Sequence, residues 1–247
     1  MAGSSSPLDQ FLIKKIIPIE VGGLDFSFTN SALFMFLAVA LSSGFLLYGI
    51  RKMAIMPTRL QTFVELIFQF VADTLKDGAS EKARKFFPLV FSLFIFVLTC
   101  NILGMIPGAF TVTSHFTVTF ALAAVVFFAI VGYGFYKHGL RFLGVFAPSG
   151  VPLVMQFLMV PIELISFLAR PFSLAIRLGA NMMAGHILLK VIAGFAVSLG
   201  ALNILFSAAP ILFLMIVIAF EFLVAFIQAY IFAVLTCVYL NDAVNLH

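Results

Sequence analysis

Apolar residues run almost unbroken over 31–50, 86–110, 116–136, 151–199 and 202–240. The first run is about 20 residues, or ~30 Å of helix, the hydrocarbon thickness of a bilayer. Arg51 and Lys52 close it. The stretch 57–82 has a different rhythm. Leu60, Phe63, Val64, Ile67, Val71 and Leu75 recur at helical spacing, while Thr62, Glu65, Gln69, Asp73 and Lys76 follow the opposite face. Pro57 suits a first turn and Gly78 a termination. This pattern predicts an amphipathic helix lying on the membrane surface rather than a soluble one. The whole chain, 1–247, reads as a single membrane domain of the all-α polytopic class, with 1–30 an outer N-terminal segment.

The last two runs do not fit upright spans. A helix over 151–199 is ~70 Å long, more than twice the hydrocarbon core. Upright, half of it pushes a Phe-rich surface into water. Either it breaks at Pro161 or Pro171, or it lies strongly oblique with its partner at 202–240, tilted beyond about 40°. Because both runs are overlong, an oblique and slightly bent hairpin is the expected architecture. No internal repeat is convincing, which weighs against inverted-repeat transporter folds.

Composition narrows the class. The chain is 63% hydrophobic and only 10% charged, with 32 Phe and mean hydropathy +1.20, which excludes a soluble domain. Alternating ten-residue strands, the mark of an outer-membrane barrel, are absent. The net charge of +4 gives no reason to expect nucleic acid; in a membrane protein the basic residues report orientation. They cluster in 51–85 and 137–141 and are missing from 107–114, which places the N-terminus outside and the basic loops and C-terminus in the cytoplasm. Cys100 and Cys237 sit in apolar runs with no shared motif and read as small core residues. The start, MAGSSSPLDQFLIKK, has neither a secretory pattern nor a long Arg-rich import signal. Neither a metal nor another cofactor is suggested.

Chemistry concentrates in the hairpin. Its polar residues include Glu163, Arg170, Arg177, Asn181, His186, Lys190, Asn203, Glu221 and Gln228. With the turn near Asn203, antiparallel residues face each other when their numbers add to about 407. His186 then faces Glu221, and Arg177 comes level with Tyr230 and close to Gln228. Glu163, Arg170 and Arg177 are seven apart, Arg177 and Asn181 four apart, and Glu221 and Gln228 seven apart, spacings that keep each set on one stripe. Around Arg177 lie Ser173, Ala175, Gly179, Ala180, Ala184 and Gly185, small residues that admit another helix close to the backbone.

An arginine inside a bilayer costs at least ~2.5–3.5 kcal/mol and cannot escape by losing its proton. No carboxylate on its own chain matches Arg177 in register, so the anion has to come from another subunit. A nearby guanidinium favours the ionised form of a carboxyl and lipid disfavours it, so Arg177 discharges a proton from an arriving carboxylic acid. It also plugs direct proton flow, because it cannot act as a relay. His186 and Glu221 then mark an outer half-path and Glu163 an inner one. Asn101 and His115 line a wet path or pair locally, and Glu163 and Arg170 are equally consistent with ordinary interface residues. A set of buried polar pairs that merely hold helices together is the alternative reading.

The segment RLGANMMAGH, with Glu221 and Gln228 in E-x-x-x-x-x-x-Q and YLNDA at 239–243, strongly resembles subunit a of the rotary F-type ATP synthase. The likeness extends to SPLDQF near the start, FSFTN at 26–30 and GMIPGAFTVTSHF at 104–116, and is nearest the alpha-proteobacterial and mitochondrial branch. The resemblance implies that Arg177 faces the proton-carrying carboxylates of a c-subunit ring. It implies that Asn181, His186, Glu221 and Gln228 line the half-channel on the proton-source side, and that Glu163 is an acid near the opposite exit. In many other bacterial members the acid and the histidine occupy exchanged positions, which preserves the pair. The acidic residues those members carry in and after the second span are missing; 104–115 offers only His115 as a titratable group. Implied partners are the c-ring, the peripheral-stalk b subunits, the other synthase subunits, the bilayer and translocated protons. The implied location is a bacterial inner membrane, with the mitochondrial inner membrane as the alternative. The chain has no G-x-x-x-x-G-K-[ST] loop, so it is not an enzyme on its own. Two rivals stand beside this reading: a self-contained ion or solute transporter, and a structural assembly subunit.

Overall fold

The computed structural model describes residues 12–18, 20–21, 24–25, 27–51, 57–78, 81–106, 109–139, 142, 144, 153–202 and 204–244. Asn203, at the expected hairpin turn, lies outside them. Among the described residues six α-helices dominate: α1 Asn30–Ile50, α2 Arg59–Gly78, α3 Phe87–Gly104, α4 Phe116–His138, α5 Leu153–Leu202 and α6 Ile204–Val244. Among the described residues five helical stretches are long and apolar enough to cross a membrane. The protein is an all-α polytopic membrane protein.

The N-terminal segment carries four short strands that the hydropathy pattern did not predict. β1 (Lys15–Ile17) pairs antiparallel with β4 (Phe28–Thr29), and β2 (Glu20–Val21) with β3 (Leu24–Asp25). Asn30 ties this ribbon to the first helix. Its backbone N–H donates to Lys14 O (3.1 Å), its amide nitrogen donates to Leu12 O (3.1 Å), and its Oδ1 accepts from the backbone N–H groups of Lys14 (3.2 Å) and Ser31 (2.9 Å).

Several ends differ from expectation for local reasons. α2 begins at Arg59, not Pro57, because the Thr58 hydroxyl accepts the Gln61 N–H (3.4 Å) as an N-cap does. Of its apolar stripe Val64, Val71 and Leu75 are buried, while Leu60 and Phe63 are exposed; Gln61 is buried and donates to Glu65 Oε1 (2.8 Å). α3 stops at Gly104, well short of 110, and the chain turns back through 3-10 residues Val112–Ser114. α5 runs uninterrupted through Pro161 and Pro171 for 50 residues, ~75 Å, and α6 for 41 residues, ~62 Å. Each proline removes one N–H donor from the helix ladder, and the helix continues past it.

The chain divides into two compact units. One comprises Met1–Leu47, Ile95–Phe116 and Leu178–Ala229; the other comprises Tyr48–Phe94, Thr117–Arg177 and Tyr230–His247. The first buries polar side chains among apolar ones: Asn101, Thr111, His186, Glu221 and Gln228 alongside Phe110, Met182 and Ala225. The second has an aliphatic and aromatic interior that includes Val71, Val90, Phe94, Val126, Phe232 and Leu240. Phe68 lies against Phe87 (4.6 Å between centroids), Phe70 against Tyr230 (5.4 Å) and Phe127 against Phe167 (5.1 Å). Cys100 and Cys237 are both buried and free, as their apolar settings led one to expect.

Candidate functional site

In the first unit, α5 and α6 bring His186 and Glu221 together. His186 Nδ1 stands 3.5 Å from Glu221 Oε1, and the two are 7% and 4% exposed. Further along the same helices Gly200 stands opposite Ser207, in the same hairpin register. Gly185 makes room for the acid. A Cβ built there would come within 2.7 Å of Glu221 Oε1. Neither carboxyl oxygen takes a hydrogen bond among the described residues, so an ionised Glu221 would be poorly compensated and the imidazole is the group placed to share its proton.

The other ring nitrogen has a partner that sequence reasoning missed. His186 Nε2 is 3.0 Å from Thr111 Oγ1, and the same hydroxyl lies 3.3 Å from Gly104 O, to which it donates. The turn after α3 creates this contact. Thr111 folds back so tightly that a Cβ on Gly104 would sit 2.7 Å from its methyl carbon. Thr111, Thr113 and Ser114 are all buried. Three hydroxyls within the four residues 111–114 beside an apolar span were the available signal.

Asn101 is wholly buried, and its Nδ2 donates to Ala225 O (3.1 Å), one turn along α6 from Glu221. Gln228 is buried in the same unit and Asn181 is exposed. His115 stacks on Phe110 (4.9 Å, 17° between planes), and desolvation pushes its imidazole below the ordinary 6.5. A cavity of about 540 Å³ reaches His186; Gly104, Ile106, Ala109, Lys190 and Phe222 are among its walls.

The second unit holds a different polar cluster. Arg170 Nη1 donates to Asp242 Oδ2 at 2.9 Å, and Nη2 lies 3.7 Å from Glu163 Oε1. The guanidinium also stands over the rings of Tyr239 (5.1 Å) and Phe167 (5.7 Å). Asp242, inside the YLNDA segment, is a partner that the sequence reading did not assign. Arg177 and Ser173 are exposed, and among the described residues Arg177 makes no ion pair. Arg177 and Gln228, matched by hairpin register, belong to different units.

The family described as "ATP synthase A chain" matches residues 32–241. The chain is 58% identical over 245 residues to the "ATP synthase subunit a" of Rhizobium etli (strain CIAT 652) and 56% identical to that of Agrobacterium fabrum, covering 98% of this chain and 98% of each relative. It is 54% identical to the protein of that description from Sinorhizobium fredii, over the same length.

Proposed function

This chain belongs to the ATP synthase subunit a family, the proton-translocating membrane subunit of the synthase, and from that premise we propose how its residues move protons. Two offset half-paths meet a rotating ring of c subunits at different depths. His186, Glu221, Gln228, Asn181 and the buried amide of Asn101 line the path from the proton source. Glu163, beside Arg170, borders the exit. Arg177 separates them.

The observation that carries this reading is the His186–Glu221 contact, a buried base and acid 3.5 Å apart reached by a cavity of about 540 Å³. A pair of this kind takes up and releases a proton without leaving a lone charge in an apolar interior. Arg177 supplies the opposite property, a charge that never leaves. It is exposed on a helix whose neighbouring positions are Ser173, Ala180, Asn181 and Ala184, small or polar side chains over which a partner helix can approach. A ring carboxylic acid arriving there loses its proton to the exit path, because the guanidinium favours the carboxylate. Each proton crossing gains about 2.3 kcal/mol per 100 mV of membrane potential.

The chain is a multi-pass bacterial membrane protein acting with other synthase subunits. We further assign the c-ring as the partner at Arg177, b subunits of the peripheral stalk as fixed contacts, an outside N-terminus and cytoplasmic C-terminus, and helix axes over 165–195 and 205–240 tilted more than about 40° from the membrane normal. The decisive experiment reconstitutes the chain in vesicles with and without the c-ring and measures proton flux. Flux only with the ring is the expected result. Equal flux from the chain alone would make it a self-contained carrier and sink the two-path scheme.

A further inference from the structure

We propose that Thr111 is a positioning residue for proton transfer at His186, its hydroxyl swinging between Gly104 O and His186 Nε2 so that the buried ring nitrogen is partnered whether or not it bears a proton. The inference rests on the reading of His186 and Glu221 as proton-path residues.

A threonine hydroxyl has one proton to give and two lone pairs with which to accept. When His186 is neutral with its proton on Nδ1, facing Glu221, Nε2 is a bare acceptor and the Thr111 O–H points to it across 3.0 Å. When a water in the cavity hands a proton to Thr111 Oγ1 and the hydroxyl's own proton passes to Nε2, that nitrogen becomes a donor. The Thr111 O–H then turns to Gly104 O, 3.3 Å away, and Thr111 Oγ1 accepts the new Nε2–H. The Nδ1 proton can now pass to Glu221 Oε1. One proton has entered at Nε2, one has left from Nδ1, and the ring is neutral again as the other tautomer. No heavy atom need move for Nε2 to stay satisfied throughout.

The surroundings are built for this swing. Thr111 is 3% exposed, so water does not readily replace its hydroxyl. Gly104, without a Cβ, lets Thr111 lie close enough for its own carbonyl to be the alternative acceptor. The charged and titratable groups around the ring are Glu221 on α6 and Lys190 one turn further along α5; His115, from the segment carrying Thr111, stacks on Phe110. None of these can both give and accept at Nε2 in the way a hydroxyl does.

The test compares Thr111→Val with Thr111→Ser in the whole synthase, measuring ATP-driven proton pumping in inverted vesicles matched for assembled complex. Valine keeps the shape and the methyl against Gly104 but removes the hydroxyl; serine does the reverse. Leaving a buried nitrogen without its partner costs enough for about a tenfold loss in rate. The expected result is therefore about tenfold slower pumping with valine and pumping within about twofold of the parent with serine. A purely packing role reverses that order, and such a reversal, or parental pumping by the valine variant, overturns the proposal. Gly104→Ala gives a second reading, since it retains the hydroxyl but forces Thr111 away; pumping should fall, and unchanged pumping counts against the swing. Glu221→Gln in the same vesicles separates the levels. If it pumps normally, the proton-path reading fails. If it stops pumping while Thr111→Val does not, only the role of Thr111 fails.

Discussion

α5 and α6 set a basic residue against an acidic one in each unit, and the two contacts behave differently. His186 and Glu221 are nearly sealed from solvent and separated by 3.5 Å; Arg170 and Asp242 are 26% and 42% exposed and joined at 2.9 Å. The second contact is shorter, yet it is the less versatile. Arginine cannot give up its charge, and Glu163, Tyr239 and Phe167 hold the guanidinium from other sides. That arrangement fastens one helix to the other. The first contact has two members whose protons are exchangeable, in a setting where an unshared charge is expensive. Proximity of opposite charges is thus a poor guide to role; burial and the permanence of the charge decide it.

The comparison breaks most readily at Arg177, which has the permanent charge of Arg170 but, among the described residues, none of its ion pairs. Arg177→Ala should insert normally and abolish ATP synthesis in assembled complexes, with a passive proton leak as the plug is removed. Arg177→Lys should also fail, since a desolvated ammonium can lose its proton and lacks the planar fork. Near-normal synthesis by the alanine variant, measured at equal complex content, contradicts the proposed mechanism.

A smaller loss should follow from disturbing the buried pair. The double exchange His186→Glu with Glu221→His should retain more proton-driven synthesis than either single change, because each single change leaves two like groups in a confined path. A double variant worse than both singles shows that the two do not act as a pair. Gly185→Ala sharpens the point. Its new Cβ displaces only the flexible end of Glu221, so assembly should be little affected while pumping falls about tenfold, the scale of one lost buried partner. Gly194→Ala, where a Cβ meets nothing within 4 Å, is the matched control and should pump normally.

The smallest effect belongs to the fastened contact. Asp242→Asn should cost under about 1 kcal/mol, discounted for the exposure of both partners, and leave pumping within about twofold. Thermal denaturation of the assembled complex and a pumping assay together check this; a transport defect as deep as that of Glu221→Gln would erase the distinction between the two sites.

Helical period and register are legible in the amino-acid sequence, and for a physical reason. Apolar runs in a bilayer must be helical, and an antiparallel hairpin has one free parameter, so a turn near 203 already aligns His186 with Glu221. Thr111 escaped because a hydroxyl in an apolar chain usually bonds back to its own helix, as Thr99 does to Ile95 O and Thr236 to Phe232 O. Only the reversal after Gly104 turns such a residue toward another helix, and that reversal depends on packing. Asp242 escaped for a related reason: near a chain end an acid looks solvated, and nothing local reveals that Arg170 reaches it. The β1–β4 ribbon left no periodicity because its strands are two or three residues long. The half-exposed apolar stripe of α2 shows the limit of pattern alone, since spacing identifies a face but not how much of it is covered.

The unbroken length of α5 has a consequence for anyone mapping the topology of this chain. Residues 153–177 alone make a helix of about 25 residues, apolar apart from Glu163, Arg170 and Arg177, at the upper end of what stands upright across a bilayer. A reporter fused after Arg177 would therefore leave a segment free to adopt a crossing that the 50-residue helix, ~75 Å long, is too long to make upright. Truncation series would report a sequence of artefactual intermediates, each oriented by its own length. Insertion of reporters into loops of the intact chain, with both long helices present, avoids that error.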